Sequence, residues 1–409
     1  MTTPIAYRLA RMSGRDPGQT HRTATPLELL FDLAFVLAIG QASGSFAHLV
    51  AEGEIGPALL GFVFAMFAIC WAWINFTWFA SAYDTDDWFY RLATMVQMIG
   101  VIVVALGIPT LFDSIVEGEH VGNQIVVIGY VIMRIALVAQ WLRAARQDPA
   151  RRSTALAYVR FVSTAQVGWL FVGFAPLSFG ATVVVAVLLY AVEMLGPMIA
   201  ERKTSGTPWH PHHIAERYGL LTIIALGEGI FGTVAGVSAI VQEQGWSLEA
   251  VLVIVAGVGL TFGLWWTYFM VNAGDALAAN RGRSWGFGYG HIIVFMAVAA
   301  TGAGLHVAAY VIEGHSELGT VGAVIAVAIP VLVFCALSFA LYIYLTGFRD
   351  AFHLWLIAGA VGVLLTAIAL AAFGASIGWC LIVLMLAPAV VVVGYETVGH
   401  RHMGQRATS

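Results

Sequence analysis

Thr25-Pro26-Leu27-Glu28-Leu29-Leu30-Phe31-Asp32-Leu33-Ala34-Phe35-Val36-Leu37-Ala38-Ile39-Gly40 opens a long apolar segment and carries two carboxyl groups inside it. Its apolar length points to a helix that crosses a membrane. Glu28 and Asp32 lie about one turn apart, so on a helix they share a face. Like charges at that spacing repel, and carboxylates at membrane depth are costly unless paired or protonated. An arginine, a bound cation or a proton must stand against that face. The theme returns in Ile214-Ala215-Glu216-Arg217-Tyr218-Gly219-Leu220-Leu221-Thr222-Ile223-Ile224-Ala225-Leu226-Gly227-Glu228, a second acidic helix start.

The rest of the chain is of one kind. Of 409 residues, 60% are hydrophobic and only 10% charged, which excludes a water-soluble globular protein of this size. Twelve candidate spans are readable. In the first half they cover residues 27–49, 56–82, 89–112, 121–145, 154–175 and 178–200. In the second half they cover 214–241, 248–273, 287–312, 320–346, 351–373 and 376–398. The first 26 residues are polar and arginine-bearing, with no short apolar core before a small-residue cleavage site. Span 1 is therefore expected to persist in the mature protein. Cys70, Cys335 and Cys380 all fall in apolar runs, where free cysteine behaves as a small hydrophobe. Their spacing suggests neither a disulfide framework nor a zinc site.

Charge sets the expected orientation. Arg8, Arg11, Arg15 and Arg22 precede span 1, and Arg91 follows span 2. Arg143, Arg146, Arg151 and Arg152 lie between spans 4 and 5, and Arg202 and Lys203 between spans 6 and 7. Arg281 and Arg283 follow span 8, Arg349 follows span 10, and Arg401 and Arg406 close the chain. The opposite loops hold acids such as Glu52, Asp113, Glu117, Glu243 and Glu313 and no lysine or arginine. This is a positive-inside pattern. It implies a multi-pass protein of the bacterial cytoplasmic membrane with both termini cytoplasmic.

The two halves echo each other. Glu28 matches Glu216, and the Trp73–Phe79 cluster followed by Asp84 matches Trp265–Phe269 followed by Asp275. Arg146-Gln147-Asp148 matches Arg349-Asp350, and Glu201 matches Glu396. Six spans per copy is an even number, so the repeats are expected to be parallel. The expected fold is thus all-α and membrane-integral, with twelve helices in two six-helix repeats at residues 27–205 and 206–400. A cytoplasmic N-terminal segment (1–26) and tail (401–409) complete it. The aromatic clusters have an ordinary account as interfacial anchors. Gly232 and Gly236 suggest close helix packing.

Function is sought among ionisable residues at membrane depth, because each is expensive in lipid. Asp32 and Glu228 are the leading candidates for binding an ion, a proton or a substrate, with Glu28 and Glu216 beside them. Arg91, Arg134 and Arg217 are candidate counter-charges, and Glu193 and His291 supporting groups. Arg160 belongs to the same set. The ordinary alternative is a set of buried ion pairs that fix helix packing, and the nearly balanced signs suit it. Glu28 and Glu216 also suit first-turn acids facing a helix dipole, and a lone histidine such as His291 is most often a packing donor. His210, His212 and His213 invite a metal reading, but Pro211 interrupts their spacing and no acidic or cysteine residue is close. Neither a metal nor a cofactor is expected. No nucleophile elbow or phosphate loop is present. The few basic residues lie along the membrane face, so no nucleic-acid partner is expected.

The stretches Thr25-Pro26-Leu27-Glu28-Leu29-Leu30-Phe31-Asp32-Leu33-Ala34-Phe35-Val36 and His213-Ile214-Ala215-Glu216-Arg217-Tyr218-Gly219-Leu220-Leu221-Thr222-Ile223-Ile224-Ala225-Leu226-Gly227-Glu228 resemble the bacterial low temperature requirement protein A family. The resemblance runs from about residue 20 to 400. It implies a multi-span bacterial membrane protein linked by name to growth in the cold, and carries no settled activity. Its motif residues fall here on Glu28, Phe31, Asp32, Glu216, Arg217, Gly219, Gly227 and Glu228. A looser likeness is to two-repeat cation channels of the lysosomal potassium type. These carry a Phe-Ser-Asp motif, whereas here Phe31 and Asp32 are adjacent and span 7 lacks the motif.

The expected function is a transporter or channel for a small solute, monovalent ion or proton, set in the lipid bilayer. Rival readings are a membrane-embedded enzyme acting on a lipid or other apolar substrate with the same carboxylates as acid and base, and a non-catalytic sensor or scaffold for cold adaptation. Oligomeric state is left open.

Overall fold

A computed structural model describes residues 9–16, 19, 22–202, 206–348 and 351–399. Arg8, Lys203, Arg349, Asp350, Arg401, Arg406 and the 401–409 tail lie outside the described residues. Among the described residues the chain is all-helical, with no strand. Its helices are α1 (Pro26–Ala51), α2 (Ile55–Tyr83), α3 (Trp88–Glu117), α4 (Gln124–Gln147), α5 (Arg152–Phe174), α6 (Phe179–Glu201) and α7 (Pro211–Gln244). They continue as α8 (Leu248–Phe269), α9 (Ala273–Ala279), α10 (Ser284–Ile312), α11 (Thr320–Thr346), α12 (Ala351–Ala372), α13 (Ile377–Leu384) and α14 (Leu386–Gly394).

Among the described residues, twelve helical segments are long and apolar enough to cross a membrane, by length and composition. They fall on the twelve expected spans, with ends moved by a few residues. Two are broken where continuous helices were expected. The α8–α9 segment breaks at Met270–Asn272, where the Asn272 side chain caps α9 by accepting from Asp275 N. The last segment breaks at Met385. Pro388 follows three residues later, and its ring has no N–H and crowds the carbonyl four residues before it. Pro109, Pro197 and Pro330 lie inside α3, α6 and α11, a position that membrane helices tolerate. Large apolar side chains such as Leu106, Val167, Trp355 and Phe373 are exposed, as suits a protein whose solvent is lipid. Cys70, Cys335 and Cys380 are buried and form no disulfide.

Two compact units divide the chain. The first comprises Met1–Ala42 and Phe64–Arg217, and the second Ser43–Val63 and Tyr218–Ser409. Helices α1, α2 and α7 each pass from one unit into the other.

In the first unit α3 packs on α4, α4 on α5 and α5 on α6. Aromatic rings fill the core: Phe31 and Phe76 stand 3.9 Å apart between centroids, and Phe79 meets Trp141 edge-on at 4.8 Å. The described residues 9–16, 19 and 22–25 form a strap held to the helix ends. Met12 is fully buried, and its N–H donates to Gln147 Oε1 at 2.6 Å. Ala10 N donates to Asp87 Oδ2, and Arg143 donates to Ala10 O and pairs with Asp87. Arg15 N donates to Ala82 O, and Arg22 donates to Ser81 O and Ala80 O in the last turn of α2.

In the second unit α10 packs on α11 and α11 on α12, while α13 and α14 lie against α8 and α12. Helices α7 and α10 approach closely. A Cβ added to Gly232 would stand 2.6 Å from Gly302 O.

Candidate functional site

The first unit's site begins with a helix cap. Thr25 and Glu28 form a reciprocal pair at the start of α1: Thr25 N donates to Glu28 Oε2 at 2.8 Å, and Glu28 N donates to Thr25 Oγ1 at 3.3 Å. Pro26 occupies the first helical position, where its missing N–H costs nothing. This cap swings the Glu28 side chain back over the helix end, and Asp32 follows one turn on. Both are fully buried.

Arg217, from α7, stands against that face. Its Nη2 donates to Asp32 Oδ1 at 2.5 Å, and its Nη1 lies 3.0 Å from Glu28 Oε1. Trp73 of α2 adds a second donor to Asp32 Oδ1, Nε1 at 2.7 Å, and its ring lies 5.7 Å from the Arg217 guanidinium. His213, one turn before Arg217, places Nε2 3.1 Å from Glu28 Oε1. A carboxylate only accepts, so His213 carries its proton on Nε2. Arg22 flanks the group, 3.8 Å from Glu28 Oε1. Asp32 Oδ2 and His213 Nδ1 are buried without a hydrogen-bond partner among the described residues. Glu216 is half-buried and accepts from Ala24 N at 3.2 Å, tying the strap to α7.

Asp32, Glu28, Glu216 and Arg217 are therefore brought together. Of the three expected counter-charges, Arg217 meets α1. Arg134 does not: it pairs with Glu193 at 3.2 Å, and Tyr130, Gln166 and Trp169 also donate to that carboxylate. Arg91 does not either. It is exposed and pairs with exposed Asp86 at 2.8 Å, a loop residue close in sequence. Arg160 is exposed on α5, where a long side chain can reach the interface.

Glu228 and His291 belong to the second unit. Glu228 is the eighteenth of the 34 residues of α7 and is 5% exposed. It makes no hydrogen bond or ion pair among the described residues, and its backbone lies against Gly302 of α10. His291 sits among Tyr218, Phe287, Phe295 and Tyr268. Its Nδ1 donates to Phe287 O at 2.7 Å, so its Nε2 accepts from the Tyr268 hydroxyl at 2.8 Å. This satisfies a neutral imidazole at both nitrogens.

Sequence reasoning missed Trp73 and His213 as partners. Trp73 reads as one of several interfacial aromatics. The acidic partner of His213 is Glu28, 185 residues away along the chain. The Thr25-x-x-Glu28 spacing is the one signal that was available for the cap.

Both motif stretches thus converge on one buried cluster, and the family comparison covers them both. The family model for the bacterial low temperature requirement A protein (LtrA) matches residues 23–388. The chain belongs to that family. An uncharacterized protein of Rhizobium meliloti (strain 1021) is similar to this LtrA chain, with 28% identity over 295 residues, 66% of this chain and 67% of that protein. No solved structure matches.

Proposed function

We propose that this LtrA protein is a transporter or channel for a small ion, a monovalent cation or a proton, in the bacterial cytoplasmic membrane. Glu228 carries the reading. It is a carboxyl group midway along a spanning helix, buried, with no partner among the described residues. Such a group defaults to function, because a lone carboxylate at that depth is stabilised only by a proton or an arriving cation. Asp32, in the first unit, is a separate carboxyl group assigned to function, and Arg217, shared between Glu28 and Asp32, gives it a pairing that an arriving cation would compete with. Termini on the cytoplasmic side and two parallel six-helix repeats complete the proposal. The positive-inside charge pattern and the matched landmarks of the two halves support them.

The sensor or scaffold reading has its own support, since Asp32–Arg217 and Glu193–Arg134 are buried ion pairs. The two separate in proteoliposomes carrying H⁺, K⁺ or Na⁺ gradients. Transport predicts a flux that Glu228→Gln removes and Asp32→Asn alters. The scaffold reading predicts no flux and an effect of Asp32→Asn on stability alone.

A further inference from the structure

Arg15, Gln19, Arg22, Thr23 and Thr25 on one side and the loop between α2 and α3 on the other line an open cleft of about 350 Å³ in the first unit. Its walls mix signs: Arg15 and Arg22 supply two guanidiniums, Asp84 and Asp86 two carboxyl groups, and Thr23 and Thr85 hydroxyls. The internal pairs are loose. Arg15 and Arg22 stand 3.4 and 3.8 Å from Asp84, longer than the roughly 2.7–2.9 Å of a close charge-assisted bond. The Arg22 side chain is 3% exposed, and its Nε has no hydrogen-bond partner among the described residues. Neither does the buried Thr85 hydroxyl. Burial, reinforced by Glu28, pushes the Asp84 carboxyl up to about 6 although both guanidiniums pull it down. Burial likewise lowers Arg22 below its ordinary value despite Glu28 and Asp84. Arg22 Nη1 and Nη2 already donate to Ser81 O and Ala80 O, and Asp86 pairs with Arg91, so the groups short of a close side-chain partner are Arg22 Nε, the Arg15 guanidinium, Asp84 and the Thr85 hydroxyl.

We propose that this cleft binds a small zwitterion of the phosphate-plus-amine type, with phosphate on Arg15 and Arg22 and ammonium on Asp84 and Asp86. The Arg15 guanidinium, Arg22 Nε and the flanking hydroxyls offer more donors than one carboxylate can accept, and a phosphate uses them. The two carboxyl groups then take an ammonium's donors. The same chemistry occurs in free phosphoethanolamine and in the headgroup of phosphatidylethanolamine, and the cleft lies just beyond the ends of spanning helices. Binding there is independent of whether the protein conducts ions.

The test uses the purified full chain in detergent, stripped of lipid, with O-phosphoethanolamine as the soluble probe. A saturable rise in melting temperature is expected, larger than inorganic phosphate or ethanolamine gives alone. Arg15→Gln and Asp86→Asn each remove one charge-assisted contact and should weaken binding about tenfold or more. Both positions are partly or fully exposed, so the unliganded melting temperature of each variant should stay at the wild-type value and report an intact fold. Native mass spectrometry with phosphatidylethanolamine and phosphatidylglycerol separates the sources. Selective retention of phosphatidylethanolamine that depends on Arg15 supports the site with a lipid ligand, whether or not the soluble probe competes. Binding of the soluble probe without lipid retention supports it with a free solute. Inorganic phosphate matching the full probe, equal binding by wild type and both variants, or neither probe nor lipid binding would overturn it.

Discussion

Asp32 and Arg217 meet at 2.5 Å across 185 residues of chain. The same guanidinium lies 3.0 Å from Glu28, so one cation serves both carboxyl groups that open α1. Replacing Arg217 by glutamine leaves two buried carboxyl groups short of a counter-charge. A loss of about 3–5 kcal/mol is expected, as for other broken buried pairs. Arg217→Lys should recover only part of it, since an ammonium is a point charge and not a fork that spans two partners. Thermal unfolding in detergent, followed by tryptophan fluorescence, reads both.

The Arg134–Glu193 pair is lopsided, and its variants should differ in order. Glu193 accepts from Tyr130, Gln166 and Trp169 as well as from Arg134. Arg134 has Glu193 as its anionic partner and Tyr130 besides. Glu193→Gln strands a buried cation and should cost about 3–5 kcal/mol. Arg134→Gln leaves the carboxyl group with neutral donors and should cost less. Melting temperatures of the two variants, measured side by side, give the order.

Asp84 introduces a pH dependence. Burial raises its carboxyl from 3.8 to about 6, so the folded state holds that proton more tightly than the unfolded chain does. The resulting stability is full below the ordinary carboxylate value. It is lost as pH rises through about 6, because linkage favours the state that binds more protons. Between pH 4 and 7 the wild type should lose stability relative to Asp84→Asn, which cannot titrate there. Parallel melts over that range show the convergence or its absence.

The spans were legible because hydropathy is a local property, and every expected span falls on a helical segment long enough to cross a membrane, the last of them broken at Met385. The breaks at Met270 and Met385 were not seen, since a hydropathy window runs over a cap at Asn272 or a proline at Pro388 without registering either. Ion-pair partners were legible only by type. The acids of α1 called for a cation, but nothing along the chain distinguishes Arg217 from Arg134 or Arg91. That choice is made by helix packing between residues far apart in sequence. Arg91 illustrates the opposite error: a basic residue near a span boundary was matched to distant acids when Asp86, in the preceding loop, was its partner. Trp73 was read for its ring, and its N–H, which donates to Asp32, went unused.

Glu228→Gln tests the account most directly. Glutamine keeps the shape and removes the charge at a buried site without a partner among the described residues. Folding and insertion should therefore survive, with stability changed by less than about 1 kcal/mol. The measurement is ion flux into proteoliposomes, read with pH-sensitive and potential-sensitive dyes under imposed H⁺, K⁺ and Na⁺ gradients. The account predicts flux in the wild type and its loss in Glu228→Gln at equal reconstitution. Absence of flux in the wild type under every gradient, or undiminished flux in the variant, would contradict it.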